Sequence, residues 1–148
     1  MGTDLATSRD VPALSVVYKL VQVERDGRVE YTTKFSEQKI HFPGRKQVFR
    51  FFRDGKFDRD LIARADETFP EATALLMPAM REGRRVDARE DLPALQARAM
   101  ANLDRLPESY RVLSGAPAYP VAKSPALTQL LEEARERYLG AARPSGAR

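Results

Sequence analysis

The chain has 148 residues, of which 43% are hydrophobic and 31% are charged, and it contains no cysteine. This length fits one domain with a modest core but is too short for a complete (β/α)₈ barrel. The composition is that of a soluble globular protein, with no apolar run near the ~20 residues that cross a bilayer, and disulfides and thiolate metal sites are excluded. The net charge of +4 and the pI near 9.6 favour anionic partners such as nucleic acids, phosphorylated metabolites or acidic membranes.

The first two-thirds of the chain has the pattern of an antiparallel β protein. Three hairpins are predicted, because strand-like runs flank two-residue turns in which an acidic residue precedes glycine. The turns are Asp26-Gly27, Asp54-Gly55 and Glu82-Gly83. The predicted strand pairs are residues 16–23 with 29–35, 47–53 with 57–65, and 75–80 with 84–86. Residues 58–61 could equally open a short helix, and residues 39–42 form another strand-like run that stops at Pro43-Gly44.

Two amphipathic α-helices are predicted in the last third, because apolar residues recur there at helical spacing. The two stripes are Leu92, Leu95, Ala99, Leu103 and Leu106, then Leu127, Leu130, Leu131, Ala134 and Tyr138. Asp91 is the predicted N-cap of the first helix and Pro107 its stop, whereas Ser124 caps the second helix and Gly140 terminates it. Both stripes are expected to be packing surfaces.

The predicted fold class is α+β, with antiparallel β-hairpins followed by two C-terminal amphipathic helices. The chain divides accordingly into four segments: a connector over residues 1–15, a β-rich region over 16–86, a helical C-terminal region over 87–140 and a disordered tail over 141–148.

Many cations lie in or next to the first two predicted hairpins. If these two hairpins lie side by side, the cations could face one pocket. These cations are Arg9, Lys19, Lys34, Lys39, Arg45, Lys46 and Arg50. Lysine is a mobile point charge for phosphate and arginine is a planar fork, so the arrangement suits phosphate or pyrophosphate. The alternative interpretation is a solvated sheet face whose cations keep an edge from aggregating.

No catalytic triad or metal cluster is visible in the sequence, and the single histidine, His41, is interpreted as a strand side chain. A basic nucleic-acid-binding module is an alternative, because phenylalanines and cations interleave over residues 49–57 and could stack bases on a sheet. Alternation would bury about half of those phenylalanines, and no RNA-recognition signature follows, so nucleic acid is not the expected partner.

The order of many short motifs resembles the nicotinate phosphoribosyltransferase family over nearly the whole chain, although no single motif is specific. In the first half they are Gly2-Thr3, Thr7-Ser8-Arg9-Asp10, Pro12-Ala13-Leu14, Val17-Tyr18-Lys19-Leu20-Val21, Lys34-Phe35-Ser36 and Pro43-Gly44-Arg45-Lys46. In the second half they are Asp54-Gly55, Leu75-Leu76 with Pro78 and Met80, Gly83-Arg84-Arg85-Val86, Leu106-Pro107, and Tyr119-Pro120-Val121 with Ser124-Pro125.

The resemblance implies the C-terminal part of a type II phosphoribosyltransferase. Members of that family form nicotinate mononucleotide from nicotinate and phosphoribosyl pyrophosphate in NAD biosynthesis, usually with Mg²⁺ and coupled ATP hydrolysis. The barrel, the nicotinate-binding residues and the histidine that becomes phosphorylated would lie upstream. We therefore expect a separate subunit, a gene fragment or a chain with a misassigned start, inactive by itself. A non-catalytic partner of a full-length homologue is a further alternative.

The expected partners follow from the same resemblance. The complete enzyme is expected to be a homodimer or to need a complementing N-terminal chain, to be cytoplasmic and to have no membrane partner. Gly2 and Thr3 look like the last two residues of a glycine-rich loop that holds the nucleotide 5′-phosphate through backbone N–H groups, so residues 1–15 would be the end of that loop and a connector.

The basic residues also have implied roles in the family. Arg9, Lys19 and Lys34 look like the cations that meet the pyrophosphate, which they reach across the dimer interface from the partner subunit. Arg45 and Lys46 are further candidate anion contacts. Stabilising a departing pyrophosphate suits such residues, because negative charge develops there as the glycosidic bond breaks.

Overall fold

Two-residue turns set the pairing of the strands in the computed structural model, which describes residues 18–33, 41–88 and 90–141. In each turn the acidic residue has a φ of 51° and the following glycine has a φ between 71° and 75°. Backbone of this kind matches the twist of the two antiparallel strands that it joins. All three predicted hairpins are therefore confirmed, each at its expected turn.

Eight strands are present among the described residues. In chain order they are β1 (Gln22–Arg25), β2 (Arg28–Tyr31), β3 (Lys46–Arg53), β4 (Lys56–Arg64), β5 (Thr73–Ala74), β6 (Met80–Arg81), β7 (Arg84–Arg85) and β8 (Val121–Lys123). The first and third hairpins are shorter than predicted, and residues 58–61 lie within β4 and not in a helix.

A four-stranded sheet in the order β5-β3-β4-β8 forms the centre of the fold. Its first two pairings are antiparallel, whereas β8 runs parallel to β4, with Leu61 opposite Ala122. The sequence did not predict β8, which lies inside the segment 87–140 that was assigned to helices. The β-rich and helical segments thus share one sheet, in an α+β fold.

The core of this sheet is aromatic. Phe49 and Phe51 project from the same face of β3 and are buried with Ala63 of β4. The ring of Phe69 packs edge-on against both phenylalanines, with centroids 4.9 Å and 6.3 Å away. Such edge-to-face pairs add specific geometry to the apolar area that is buried.

The two predicted helices are present but are packed differently. The helix α1 (Leu92–Arg105) has its predicted N-cap, since the Asp91 carboxylate accepts a hydrogen bond of 2.9 Å from the Ala94 amide. None of its residues is buried, so the prediction that its stripe packs is wrong for the described part of the chain. Neither this helix nor α2 (Pro125–Ala141), the two α-helices that the structure describes, could span a membrane.

The helix α2 does pack, with Leu127, Leu130 and Leu131 all buried. Its predicted cap is confirmed, because the Ser124 hydroxyl accepts a hydrogen bond of 3.1 Å from the Leu127 amide. The prediction that Gly140 terminates this helix is wrong. Gly140 is not among the glycines with positive φ, so it lacks the left-handed backbone of a terminating glycine.

The interpretation of His41 as a strand side chain is also wrong. Residues 41 and 42, the described end of the predicted strand 39–42, are irregular. The His41 carbonyl accepts a hydrogen bond of 2.6 Å from the Thr33 hydroxyl and does not belong to a strand ladder. The chain must bend at Pro43, which has no N–H to donate, and this ends any pairing.

Gly44 attaches the first hairpin to the rest of the fold. Its amide donates a hydrogen bond of 2.9 Å to the Val21 carbonyl, just before β1. Its φ of +76° lies in the left-handed region, and a Cβ there would lie 3.0 Å from Leu130 and 3.3 Å from Tyr31. The first hairpin and α2 therefore both approach this residue because it has no side chain.

We predict that Gly44→Ala destabilises the protein more than Gly55→Ala does. Both glycines have a left-handed φ, so both changes should cost about 1–2 kcal/mol of backbone strain. Only Gly44 is crowded, since a Cβ at Gly55 meets nothing within 4 Å. Overpacking should add roughly 1–3 kcal/mol at Gly44. Urea unfolding of both variants measures the difference, and equal losses would contradict the crowding argument.

Candidate functional site

An open cleft of about 400 Å³ lies where the Pro43-Gly44 turn meets the first hairpin, the end of β4 and α2. Its lining residues are Gln22, Tyr31, Gly44, Arg45, Arg64, Ala65, Asp66 and Leu130. The Arg45 amide donates a hydrogen bond of 3.2 Å to the Gln22 side-chain oxygen, which fixes the backbone at the cleft wall. The Arg45 residue itself is exposed, and its guanidinium has no hydrogen bond or ion pair with the described residues.

The second cation of the cleft, Arg64, already has a partner. It binds the Asp66 carboxylate with two hydrogen bonds, of 3.0 Å and 2.6 Å. The hydrogen bonds that Arg64 donates to Asp66 raise the pKa of Arg64 and lower the pKa of Asp66. Arg45 is therefore the cation of this cleft that can meet an external anion without displacing a carboxylate.

Lys46, the other candidate anion contact next to this turn, points into it. Its ammonium donates a hydrogen bond of 2.7 Å to the Gly44 carbonyl and lies 3.5 Å from the Pro43 carbonyl. Burial lowers the pKa of Lys46 from its usual value. The ammonium thus satisfies carbonyl groups of a bend that cannot pair in a strand.

Lys19 is exposed at the open end of the first hairpin. The adjacent Leu20 carbonyl accepts a hydrogen bond of 2.7 Å from the Thr32 hydroxyl, which holds the two arms of the hairpin together at this end. The Lys19 ammonium has no hydrogen bond or ion pair among the described residues. Thr33 is the last described residue before Lys34.

Four of the predicted site residues lie outside the described residues. They are Gly2, Thr3, Arg9 and Lys34. Their roles, like those of Lys19 and Arg45, stay predictions.

Arg50 was grouped with the pocket cations from the sequence alone, but it belongs to a partly buried network. Its guanidinium grips the Asp60 carboxylate with two hydrogen bonds, of 2.8 Å and 2.7 Å, and stacks 4.2 Å from the centre of the Phe57 ring. The Tyr119 hydroxyl donates a third bond of 3.2 Å to Asp60. The hydrogen bond with Asp60 raises the pKa of Arg50. The Arg50 guanidinium therefore stabilises the fold through its contacts with Asp60 and Phe57.

A second polar network joins α2 to the sheet. The hydroxyl of the fully buried Ser124 donates a hydrogen bond of 2.6 Å to the Glu67 carboxylate while it caps the helix. The same carboxylate accepts a bond of 2.7 Å from the Arg64 amide at the end of β4. Sequence reasoning identified Ser124 as a cap but missed Glu67, because the two residues lie 57 positions apart in the chain.

The nucleic-acid hypothesis depended on aromatic rings that the fold uses elsewhere. Phe49, Phe51 and Phe57 are buried, and Phe52 alone of the four is partly exposed. Arg50, which would flank the bases, is bound to Asp60. Stacking of bases needs exposed rings beside free cations, and residues 49–57 do not offer that combination.

The fold of this α+β domain is shared with part of a solved enzyme. The crystal structure of human nicotinic acid phosphoribosyltransferase matches with a TM-score of 0.62 and 24% sequence identity, over 79% of this chain and 26% of that one.

Sequence comparison identifies the family. Residues 68–131 match the nicotinate phosphoribosyltransferase C-terminal domain. Nicotinate phosphoribosyltransferase pncB2 of Mycobacterium tuberculosis is 38% identical over 97% of this chain, and the Bacillus subtilis nicotinate phosphoribosyltransferase is 41% identical over 52% of it. By sequence, the chain belongs to the nicotinate phosphoribosyltransferase family and corresponds to its C-terminal region. It spans about 30% of the length of the Mycobacterium tuberculosis relative and 16% of the Bacillus subtilis one.

The partly buried network of Arg50, Asp60 and Tyr119 predicts a specific loss of stability at alkaline pH. Burial, followed by the charge of Asp60, raises the pKa of Tyr119 from 10.0 to about 12. Because the folded pKa exceeds the unfolded one, the proton on Tyr119 stabilises the fold fully below about pH 10, and this contribution is lost as the pH rises toward about 12. Tyr119→Phe cannot ionise, so its free energy of unfolding should fall less than that of the wild type over this window.

Chemical denaturation at several pH values from about 8 to about 12 measures this difference. Tyr18→Phe is the control, because the Tyr18 side chain is 93% exposed and its removal should leave the wild-type curve unchanged. Parallel curves for wild type and Tyr119→Phe would refute the assignment.

Proposed function

We propose that this chain provides the C-terminal part of a nicotinate phosphoribosyltransferase, which forms nicotinate mononucleotide in NAD biosynthesis. In that reaction the pyridine nitrogen of nicotinate forms a bond to C1 of the phosphoribosyl group. The bond from C1 to the pyrophosphate oxygen breaks, and pyrophosphate leaves with the electron pair. The complete enzyme would act in the cytoplasm, as a homodimer or with a complementing N-terminal chain.

Within this activity, the chain would supply cations to the leaving group. Lys19 would meet the pyrophosphate together with Arg9 and Lys34, while Gly2 and Thr3 would hold the 5′-phosphate through backbone N–H groups. A fixed cation stabilises the transition state because negative charge grows on the pyrophosphate as the bond breaks. Water exclusion by the assembled enzyme would strengthen each such contact.

The observation that carries this proposal is the free ammonium of Lys19. Four of the predicted pocket cations are described, and two of them, Lys46 and Arg50, are used by the fold itself. Lys19 and Arg45 are exposed and have no partner among the described residues. The position of Lys19, at the end of a hairpin that is anchored through Gly44, leaves it available to a substrate held by another polypeptide segment.

Mg²⁺ and ATP belong to the proposal as requirements of the complete enzyme. The described residues contain no group of three or more histidine, aspartate or glutamate side chains that could hold a metal ion. The proposal gives these residues no step that uses the metal or ATP.

The experiment is an assay of nicotinate mononucleotide formation from nicotinate, phosphoribosyl pyrophosphate, ATP and Mg²⁺. The chain is assayed alone and co-purified with the part of the Mycobacterium tuberculosis relative that precedes the matched region. We expect activity only in the combined preparation. Activity of the chain alone would contradict the proposed division of the active site, and a folded but inactive combination would contradict the function.

We predict that Lys19→Ala lowers kcat/KM of the active combination by about a hundredfold, as removal of one preorganised electrostatic contact commonly does. Arg81→Ala is the control, because it removes one positive charge from an exposed residue of the third hairpin and should change kcat/KM less than about twofold. Equal kinetics for Lys19→Ala and wild type would show that Lys19 does not contact the pyrophosphate.

A further inference from the structure

The apolar stripe of α1 is uncovered in the folded chain. Leu92 is 81% exposed, Met100 is 53% exposed and Leu103 is 44% exposed. In contrast, Leu127 of the apolar stripe of α2 is fully buried. Leu92, Leu95, Ala99 and Leu103 lie within one narrow sector of the helix, because their spacing follows its 3.6-residue period. A helix with this pattern gains most of its stability from covering that sector.

The contacts that attach α1 to the sheet lie at its C-terminal end. The Lys56 ammonium donates a hydrogen bond of 2.6 Å to the Asp104 carbonyl, and the Arg105 guanidinium lies 5.9 Å from the centre of the Phe52 ring. By helical geometry, Arg105 projects about 120° around the axis of α1 from Ala99. The helix is thus held near its C-terminal end, and Leu92, Leu95 and Leu103 are exposed.

We propose that this leucine face is a docking surface for the N-terminal part of a nicotinate phosphoribosyltransferase, an inference that rests on the proposed function. The face is defined by Leu92, Leu95, Ala99, Met100 and Leu103. It lies within the match to the family's C-terminal domain, and about 70% of the Mycobacterium tuberculosis relative lies outside the region that this chain matches. That additional polypeptide of the relative is the occupant that the comparison supports.

The charge around the face agrees with docking and not with exposure to water. The ion pair between Arg98 and Glu90, with a separation of 2.7 Å, lies at the flank of the stripe and leaves its centre uncharged. Interfaces combine an apolar centre of this kind with a polar rim. Adjacent exposed leucines at one helical face would otherwise favour non-specific association.

The test is co-expression of the tagged chain with the N-terminal part of the Mycobacterium tuberculosis relative, followed by affinity capture. We expect Leu95→Glu/Leu103→Glu to reduce capture about tenfold or more, because charges at the centre of an interface are strongly unfavourable. The matched control is Val112→Glu/Leu113→Glu, which adds the same two charges at exposed apolar positions outside α1. This control should be captured like the wild type.

Circular dichroism establishes that each variant remains folded, which we expect because α1 buries no residue. If the double variant lost helix, the single variant Leu92→Glu, at the most exposed leucine of the face, would replace it. Equal capture of the α1 variant and the control would overturn the proposal, and so would failure of the wild type to capture the N-terminal part. Light scattering adds one more outcome against it: a wild-type dimer that the α1 substitutions convert to a monomer would make a second copy the occupant.

These outcomes are distinct from failure of the proposed function. Capture that depends on α1, without nicotinate mononucleotide formation, would support the docking surface and contradict the activity. Activity that depends on Lys19 but is unaffected by the α1 substitutions would support the proposed activity and contradict the docking surface.

Discussion

The close approach of three elements at Gly44 is the constraint on which the rest of this structure depends. The first hairpin forms a sheet of its own, and the Gly44 amide ties it to the second hairpin through the Val21 carbonyl. Leu130 of α2 and Tyr31 of β2 fill the space where a side chain would stand. The position of Lys19 relative to the central sheet therefore follows from one residue that has no Cβ.

The parts of the fold that local chemistry dictates were predictable from sequence. The Asp-Gly and Glu-Gly turns required positive φ at both positions, and hairpins formed at each of them. Asp91 and Ser124 could be identified as helix caps, because each is followed by an apolar periodic segment. In the structure each side chain accepts a hydrogen bond from a backbone amide of the first helical turn. These features need no information about distant residues.

The network around Arg50 was not predictable, because it depends on a register shift. A regular ladder from the two-residue turn would place Arg50 opposite Arg59, two like charges in contact. The register shifts between Phe51 and Phe52, and Arg50 faces Asp60 instead. The strand β8 is a similar case, since three residues reveal nothing of a parallel partner some sixty positions earlier. The candidate site was only partly predictable for the same reason, because residue type alone could not separate Arg50 and Lys46 from Lys19 and Arg45.

The two helices show how far an amphipathic pattern can be interpreted. Both patterns predicted a helix and an apolar face, and both helices formed. The leucines of the α2 stripe (Leu127, Leu130 and Leu131) are buried and those of the α1 stripe are exposed, which no property of the two stripes distinguishes. An amphipathic stripe shows that a helix has an apolar face to bury. The residues that cover this face belong to another segment, so the stripe does not identify them. Lys19 is a comparable case, because its ammonium has no hydrogen bond or ion pair among the described residues and its contact with pyrophosphate stays a prediction. Both features agree with the proposal that the rest of a nicotinate phosphoribosyltransferase completes this domain, since α1 has an exposed leucine face and Lys19 has no partner among the described residues.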